Sequence, residues 1–214
     1  GFHFIYLIFF CVIAVLVSAS SKTSKKALIS LIGIWLVFTI ILPRTTQAIG
    51  AYLYEAPSKI QFNSAIEKDI LKQGDSHNPN DIHYKAIKDS LLRAYKVDSV
   101  QKLPFNYSGF IMTEGEKISS RIYNEHLEEL LKVYDQQNSF SKAVSFLNPY
   151  IAIRNLSMGL SNTDYGSYID FQKQAEIYRY TMAQKMNALQ VKYISNKKPG
   201  PNDKPLSISK EHWA

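Results

Sequence analysis

The sequence predicts a mainly α protein, a transmembrane helical hairpin followed by an extracytoplasmic α-helical domain. Two long apolar runs stand near the start, separated by a short lysine-rich loop. Beyond them, apolar residues recur at three- and four-residue spacing through most of the chain, and strand-type alternation is scarce. The charge distribution divides along the same line. Residues 1–43 hold three lysines and no acid, whereas residues 44–214 hold all 18 acids and the other 22 bases.

The first run, Phe2–Val17 (FHFIYLIFFCVIAVLV), has twelve Leu, Ile, Val or Phe among sixteen residues and includes the single cysteine, Cys11. Val17-Ser18-Ala19 resembles a signal-peptide cleavage site, but no basic region precedes the run and a second span follows it. A membrane helix is therefore the expectation. The chain starts at Gly1 with apolar residues immediately after it, and is expected to be a piece of a longer protein. His3 sits near one end of the run and is assigned no role.

The second run, Ala27–Leu42 (ALISLIGIWLVFTIIL), carries no formal charge, and eleven of its residues are Leu, Ile, Val or Phe. Those eleven favour bilayer insertion by about 3 to 7 kcal/mol. As a helix the run spans about 24 Å against a hydrocarbon core of about 30 Å. Lys25 and Lys26 can snorkel at one end, and Pro43–Arg44 are expected to close the other. A helix apolar on every side is a poor fit to a soluble core, especially when another precedes it.

Ser18–Lys26 must then join an antiparallel pair. Its Lys22, Lys25 and Lys26 place it in the cytoplasm by the positive-inside rule, so the chain from Arg44 onward is expected outside. The expected organisation is a membrane helix at 1–18, a cytoplasmic loop at 19–26 and a second membrane helix at 27–43. An extracytoplasmic helical domain at 44–196 follows, then a linker at 197–214 leading toward a further membrane helix.

Within the outer part, Ala48, Ile49, Tyr52 and Leu53 extend a helical stripe, and Pro57 breaks it. Phe62, Ile66 and Ile70 mark a short helix ended by Gly74. Asp81 is a credible N-cap for a helix carrying Ile87, Leu91, Leu92 and Tyr95. Leu103–Gly115 (LPFNYSGFIMTEG) has loop and strand character, and a helix is expected from about Glu114 to Gln137, its start favoured by Glu114 and Glu116. Pro149 suits a first helical position for Tyr150–Leu160. Thr163–Asp164 caps a long helix reaching about Ile194, whose apolar side would comprise Ile169, Phe171, Ala175, Tyr178, Met182, Met186 and Leu189. Asn196–Pro205 is a Pro-, Gly- and Lys-rich linker.

No constellation for catalysis is found. His77 and His83 with Asp75 and Asp81 span a loop at a spacing that fits no tight metal pattern. Glu125-His126 lacks the second histidine of a zincin, since Leu130 stands there. Glu114 and Glu116, two residues apart, point to different helix faces and make a poor acid/base pair. There is no Walker A loop and no nucleophile elbow. The outer part is only mildly basic, with acids and bases interspersed, which does not suit nucleic acid. No catalytic, cofactor-binding or metal-binding residue is assigned, and the chain is read as a non-enzyme needing no cofactor.

Four stretches carry a resemblance: LPRTTQAIG (Leu42–Gly50), FNYSGFIMTEGEK (Phe105–Lys117), NPYIAIRNLSMGLSNTDY (Asn148–Tyr165) and FQKQAEIYRYTMAQKMN (Phe171–Asn187). Together they resemble bacterial ABC-2-type transporter permease subunits carrying the domain of unknown function numbered 3526 (DUF3526). The matching positions are Glu114-Gly115-Glu116, Asn148-Pro149, Thr163-Asp164, and Glu176, Tyr178 and Arg179; Asn162 departs from the glycine usual before Thr-Asp. The resemblance implies a multi-pass subunit in the bacterial inner membrane, with its large domain on the periplasmic side. It would move an unknown substrate using a separate ABC ATPase subunit and would pair with a second permease subunit, as homo- or heterodimer. The partners implied are thus that ATPase, that subunit and the lipid bilayer, without nucleic acid. The alternative is a membrane-anchored extracytoplasmic sensor or protein-binding module.

Overall fold

A computed structural model describes residues 2–76, 78, 81–145 and 148–196. Every described element is helical: α1 (Phe2–Ser20), α2 (Ser24–Leu36), a π-helical stretch (Val37–Ile41), α3 (Leu42–Leu53), α4 (Lys59–Gln73), α5 (Ile82–Tyr95), a 3-10 turn (Val100–Lys102), α6 (Tyr107–Ser145), α7 (Pro149–Leu160) and α8 (Tyr165–Tyr193). Contacts divide the chain into two compact units, one of residues 1–57 and 129–172, the other of 58–128 and 173–214. Helices α6 and α8 each contribute residues to both.

In the first unit, α1 and the α2–π–α3 rod are long and apolar enough to cross a membrane, over His3–Ser20 and Ser24–Leu53. Of the most apolar window in each, 0% and 11% is buried within the chain. Core helices of a soluble protein would be mostly buried, so packing inside this chain does not account for their composition. The turn between them is tight. Ser21 donates its hydroxyl to the Val17 carbonyl at 2.6 Å, and Thr23 accepts the Lys26 N–H as N-cap of α2. Phe38 meets Phe9 and Phe10 edge-on at ring centroid distances of 6.3 and 6.4 Å, setting the antiparallel register.

The helix runs through Pro43 to Leu53, matching the helical stripe expected over Ala48, Ile49, Tyr52 and Leu53, and the π stretch explains how it passes the proline. Leu42 donates its N–H to the Val37 carbonyl, five residues back, so the turn before Pro43 is wider than an α turn. A proline inside a helix lacks an N–H and clashes with a carbonyl of the preceding turn; a widened turn accommodates both defects. Beyond it, Gly50 lets α3 meet the second half of α6 closely. A Cβ at Gly50 would lie 2.7 Å from the Gln137 carbonyl oxygen. Gln137 also donates its side-chain amide to the Tyr54 carbonyl, at the end of α3.

In the second unit, Ser58 and Gln61 form a capping box at the start of α4, and Gly74 ends that helix region with φ 127°. Asp81 caps α5 as expected, accepting N–H groups of His83 and Tyr84 at 2.9 and 3.2 Å and of Asp75 at 3.0 Å. Tyr84, Leu103, Ile111 and Ile122 form the buried apolar core.

The strand character expected over Leu103–Gly115 is not found: no strand exists among the described residues, and α6 begins at Tyr107. Asn106 starts it, accepting the Gly109 N–H at 2.8 Å on its side-chain oxygen. Gly109 is a helical residue because of a close approach, not a break; a Cβ there would sit 3.0 Å from the Val191 backbone nitrogen of α8. Glu114 and Glu116 therefore lie two turns inside α6 and do not favour its start. The helix also runs past Gln137 to Ser145.

The apolar side expected for α8 is likewise corrected. Phe171, Tyr178, Met182 and Met186 are exposed, at 68, 67, 40 and 49%. In the second unit, the side of α8 that meets α6 is the one carrying Glu176 and Gln184. The linker from Lys197 onward, His77, and Leu147 lie outside the described residues.

Candidate functional site

The most constrained polar group in the first unit is Asn148. It is fully buried, as is the neighbouring Ile151. Its side-chain oxygen caps α7 by accepting the Tyr150 and Ile151 N–H groups at 3.0 and 3.4 Å. Its side-chain amide donates to the Phe38 carbonyl at 2.8 Å. That carbonyl lies inside the π stretch. A single side chain thus satisfies both the start of one helix and a carbonyl of another. Pro149 brings no N–H, and the Ala152 N–H returns to the Asn148 carbonyl at 3.1 Å. The exposed donors that every helix start presents are in this way all paired without water.

One turn further, α7 packs against α1. Between them lies an open pocket of about 330 Å³, bordered by His3 and Tyr6 of α1 and by Tyr150, Arg154 and Ser157 of α7, with Ile153 and Met158 completing it. The Arg154 Nε is buried and has no hydrogen-bond partner among the described residues. A terminal guanidinium nitrogen makes a long 3.4 Å contact to Asn155. No carboxylate among the described residues pairs with Arg154.

The second unit carries a polar cluster between α6 and α8. Arg179 pairs with Glu116 at 2.8 Å and with Glu176 at 2.7 and 2.8 Å, while Ser120 reaches toward Glu176 at 3.5 Å. The hydrogen bonds from Glu176 and then Glu116 raise the Arg179 pKa above its already high ordinary value, so it is always charged here. This arrangement holds two helices together. Glu114 pairs with Lys117 at 2.7 Å. His126, adjacent to Glu125, bonds Asp69 at 2.9 Å. Hydrogen bonds from Lys72 and then His126 hold the Asp69 carboxyl below its ordinary range. Asp81, weighed earlier beside His83, acts as a helix cap, and no metal-ligating cluster exists among the described residues.

A second pocket, about 270 Å³, lies in this unit between Tyr84 and Lys88 of α5, Tyr107 and Ile111 of α6, and the loop at Ser76. Burial raises the Tyr84 and Tyr107 pKa values, so both phenols are neutral donors near pH 7. Sequence reasoning flagged neither pocket. Arg154 was invisible as a site residue because an arginine in an amphipathic helix ordinarily reads as solvent-facing.

Geometry therefore defines a class: a chain whose described elements are all helical, with two little-buried apolar helices of membrane-crossing length in its first unit and a second unit that is also helical. A family model described as Domain of unknown function (DUF3526) matches residues 59–200. The chain belongs to the DUF3526 family. No curated protein and no solved structure matches it.

Proposed function

We propose that the chain is a membrane permease subunit of an ABC-type transporter of the ABC-2 class, moving its substrate with energy from a separate ATPase subunit. The observation that carries the membrane assignment is the pair of apolar helices left 0% and 11% buried by the rest of the chain. Lipid is the surrounding that satisfies such surfaces at no cost in exposed apolar area. The transporter reading rests on the resemblance of the stretches between residues 42 and 187 to such permeases. The lysines of the turn favour a bacterial inner membrane topology with residues 44 onward outside. No catalytic role is proposed for this chain; the chemistry of hydrolysis belongs to the ATPase.

The test uses the full reading frame expressed with its chromosomal neighbours. Membranes are washed with carbonate, solubilised in mild detergent, and the tagged chain is captured. Retention in the membrane, with co-capture of an ATPase whose vanadate-sensitive turnover depends on this chain, supports the proposal. Release by carbonate overturns the membrane assignment, and retention without any ATPase overturns the transporter.

A second reading, an anchored binding module, draws on the pocket beside Lys88. An exposed lysine with two neutral phenols and the Ser76 and Ser108 hydroxyls would suit a small anionic ligand. Ligand-dependent stabilisation of the chain without any associated ATPase would favour that reading.

A further inference from the structure

We propose that the side of α8 turned away from α6 is a docking surface for a second copy of this chain, centred on Met182. Within the second unit, α8 carries apolar residues on two opposite sides. Val191 meets Gly109 of α6 so closely that a Cβ on the glycine would lie 3.0 Å from it, and Glu176 and Gln184 bond α6 from the same side. At about 100° per residue, Ala175, Tyr178, Met182, Met186 and Leu189 fall within an arc of about 80° roughly opposite that side. Ala175, Tyr178, Met182 and Met186 are exposed, the last three at 67, 40 and 49%, and Leu189 is part-buried. A helix apolar on two sides calls for a neighbour on each, and α6 is one of them.

Spacing, area and charge select a second copy as the occupant. Tyr178 and Met186 stand four residues either side of Met182, and Ala175 and Leu189 stand seven either side. A row that reads the same from both ends packs on its own copy in either direction, with Met182 meeting its counterpart each time, as a two-fold interface requires. Its mean step of about 3.5 residues is that of seams along which two helices run side by side. At about 200 Å² for a whole large side chain, Tyr178, Met182 and Met186 alone leave roughly 300 Å² in water. With a polar rim added, the contact comes to about 600 Å² a side, the lower end of what specific interfaces bury. The rim does not oppose the match. Gln174 and Thr181 border the row on one side, and Gln190 and Arg179 on the other, the arginine already compensated by Glu116 and Glu176. Lys185 stands at the edge, where its long stem can carry the ammonium out to water. A strongly charged partner would need a run of opposite charge along this rim, which these residues do not make. Methionine, unbranched and adaptable, suits a seam in which the central residue meets itself.

The pairing stands on this helix alone and does not require the transporter reading. The test takes the full chain in mild detergent, with Cys11→Ser removing the single cysteine. In that background Met182→Cys is oxidised with copper phenanthroline and linked dimer is read on a non-reducing gel. Ile177→Cys, 66% exposed and on another side of α8, is the collision control. Met182→Cys is expected to link severalfold faster, because a disulfide needs Cα atoms within about 7 Å. Sedimentation equilibrium should show a concentration-dependent dimer, weakened about tenfold or more by Met182→Glu, which sets two carboxylates face to face in an apolar seam. Met182→Leu, close in volume, should stay within about threefold of wild type. Thermal unfolding of the Met182→Glu chain separates lost pairing from lost folding, and if that chain does not fold, Tyr178→Glu, at a more exposed position, reports in its place. A chain monomeric throughout, equal linking at both positions, or a dimer indifferent to the glutamate overturns the proposal. The linking is repeated in native membranes, where capture of Met182→Cys by a different protein in place of its copy overturns the second copy as occupant. Carbonate retention and ATPase capture are read separately, so failure here leaves the transporter reading standing.

Discussion

Replacing Asn148 with alanine removes three hydrogen bonds at one buried point. Loss of the cap on α7, made through the Tyr150 and Ile151 N–H groups, costs about 1 kcal/mol. The Phe38 carbonyl loses its 2.8 Å donor in a part-buried place, which adds about 1 to 3 kcal/mol. The sum is about 2 to 4 kcal/mol, a large part of the margin by which a domain is stable. Asn148→Ser retains a capping oxygen but cannot reach Phe38, so it should recover only the first part. The assay is equilibrium unfolding in mixed micelles, followed by helical circular dichroism. Near-identical losses for the alanine and serine variants would refute the division of labour, and an alanine variant within about 0.5 kcal/mol of wild type would refute the whole account.

Gly50→Ala should destabilise by about 1 to 3 kcal/mol, because the new methyl meets the Gln137 backbone at 2.7 Å, whereas Gly33→Ala, with nothing within 4 Å, should be neutral or slightly stabilising in the same unfolding assay. Ser58→Ala breaks the capping box of α4 and should cost about 1 kcal/mol, while Ser58→Asp should restore most of it. The Asp69 pKa is lowered by Lys72 and then His126, so the stability it confers is present above about pH 4 and fades as pH falls through the depressed value. Comparing wild type with Asp69→Asn from pH 7 down to pH 2.5 should show the difference shrinking only in that acid range; a constant difference would contradict the pairing.

Much of the helical plan was legible because it rests on local rules. Asp81 and Pro149 announced helix starts through capping chemistry, and both act as expected. The two apolar runs were plain from composition alone. The misreadings share a physical cause: tertiary proximity gave a residue a use that local propensity does not encode. Gly109 lies in the stretch expected to have loop and strand character, yet it is helical and lets α6 approach Val191. Pro43 was placed at the end of the apolar run with a helical stripe beyond it, but the π turn that absorbs its missing N–H was not foreseen. Tyr178 and Met182 looked like core because they recur at helical spacing, but spacing alone cannot say which face of α8 meets its neighbour; the Arg179–Glu116 pair and the Ser120–Glu176 contact put the Glu176 side against α6. Arg154 was missed for the same reason, since its lack of a carboxylate partner among the described residues is a three-dimensional fact.

The widened turn at Val37–Ile41 has a mechanical corollary. A rod is weakest where its internal ties are sparsest, and here a five-residue register change is followed directly by a proline that can tie to nothing behind it. Asn148 splints that spot from the side. Any displacement of α7 that withdrew the splint would leave the second apolar rod free to flex at Phe38, so its stiffness is held in trust by a residue more than a hundred positions away in the chain.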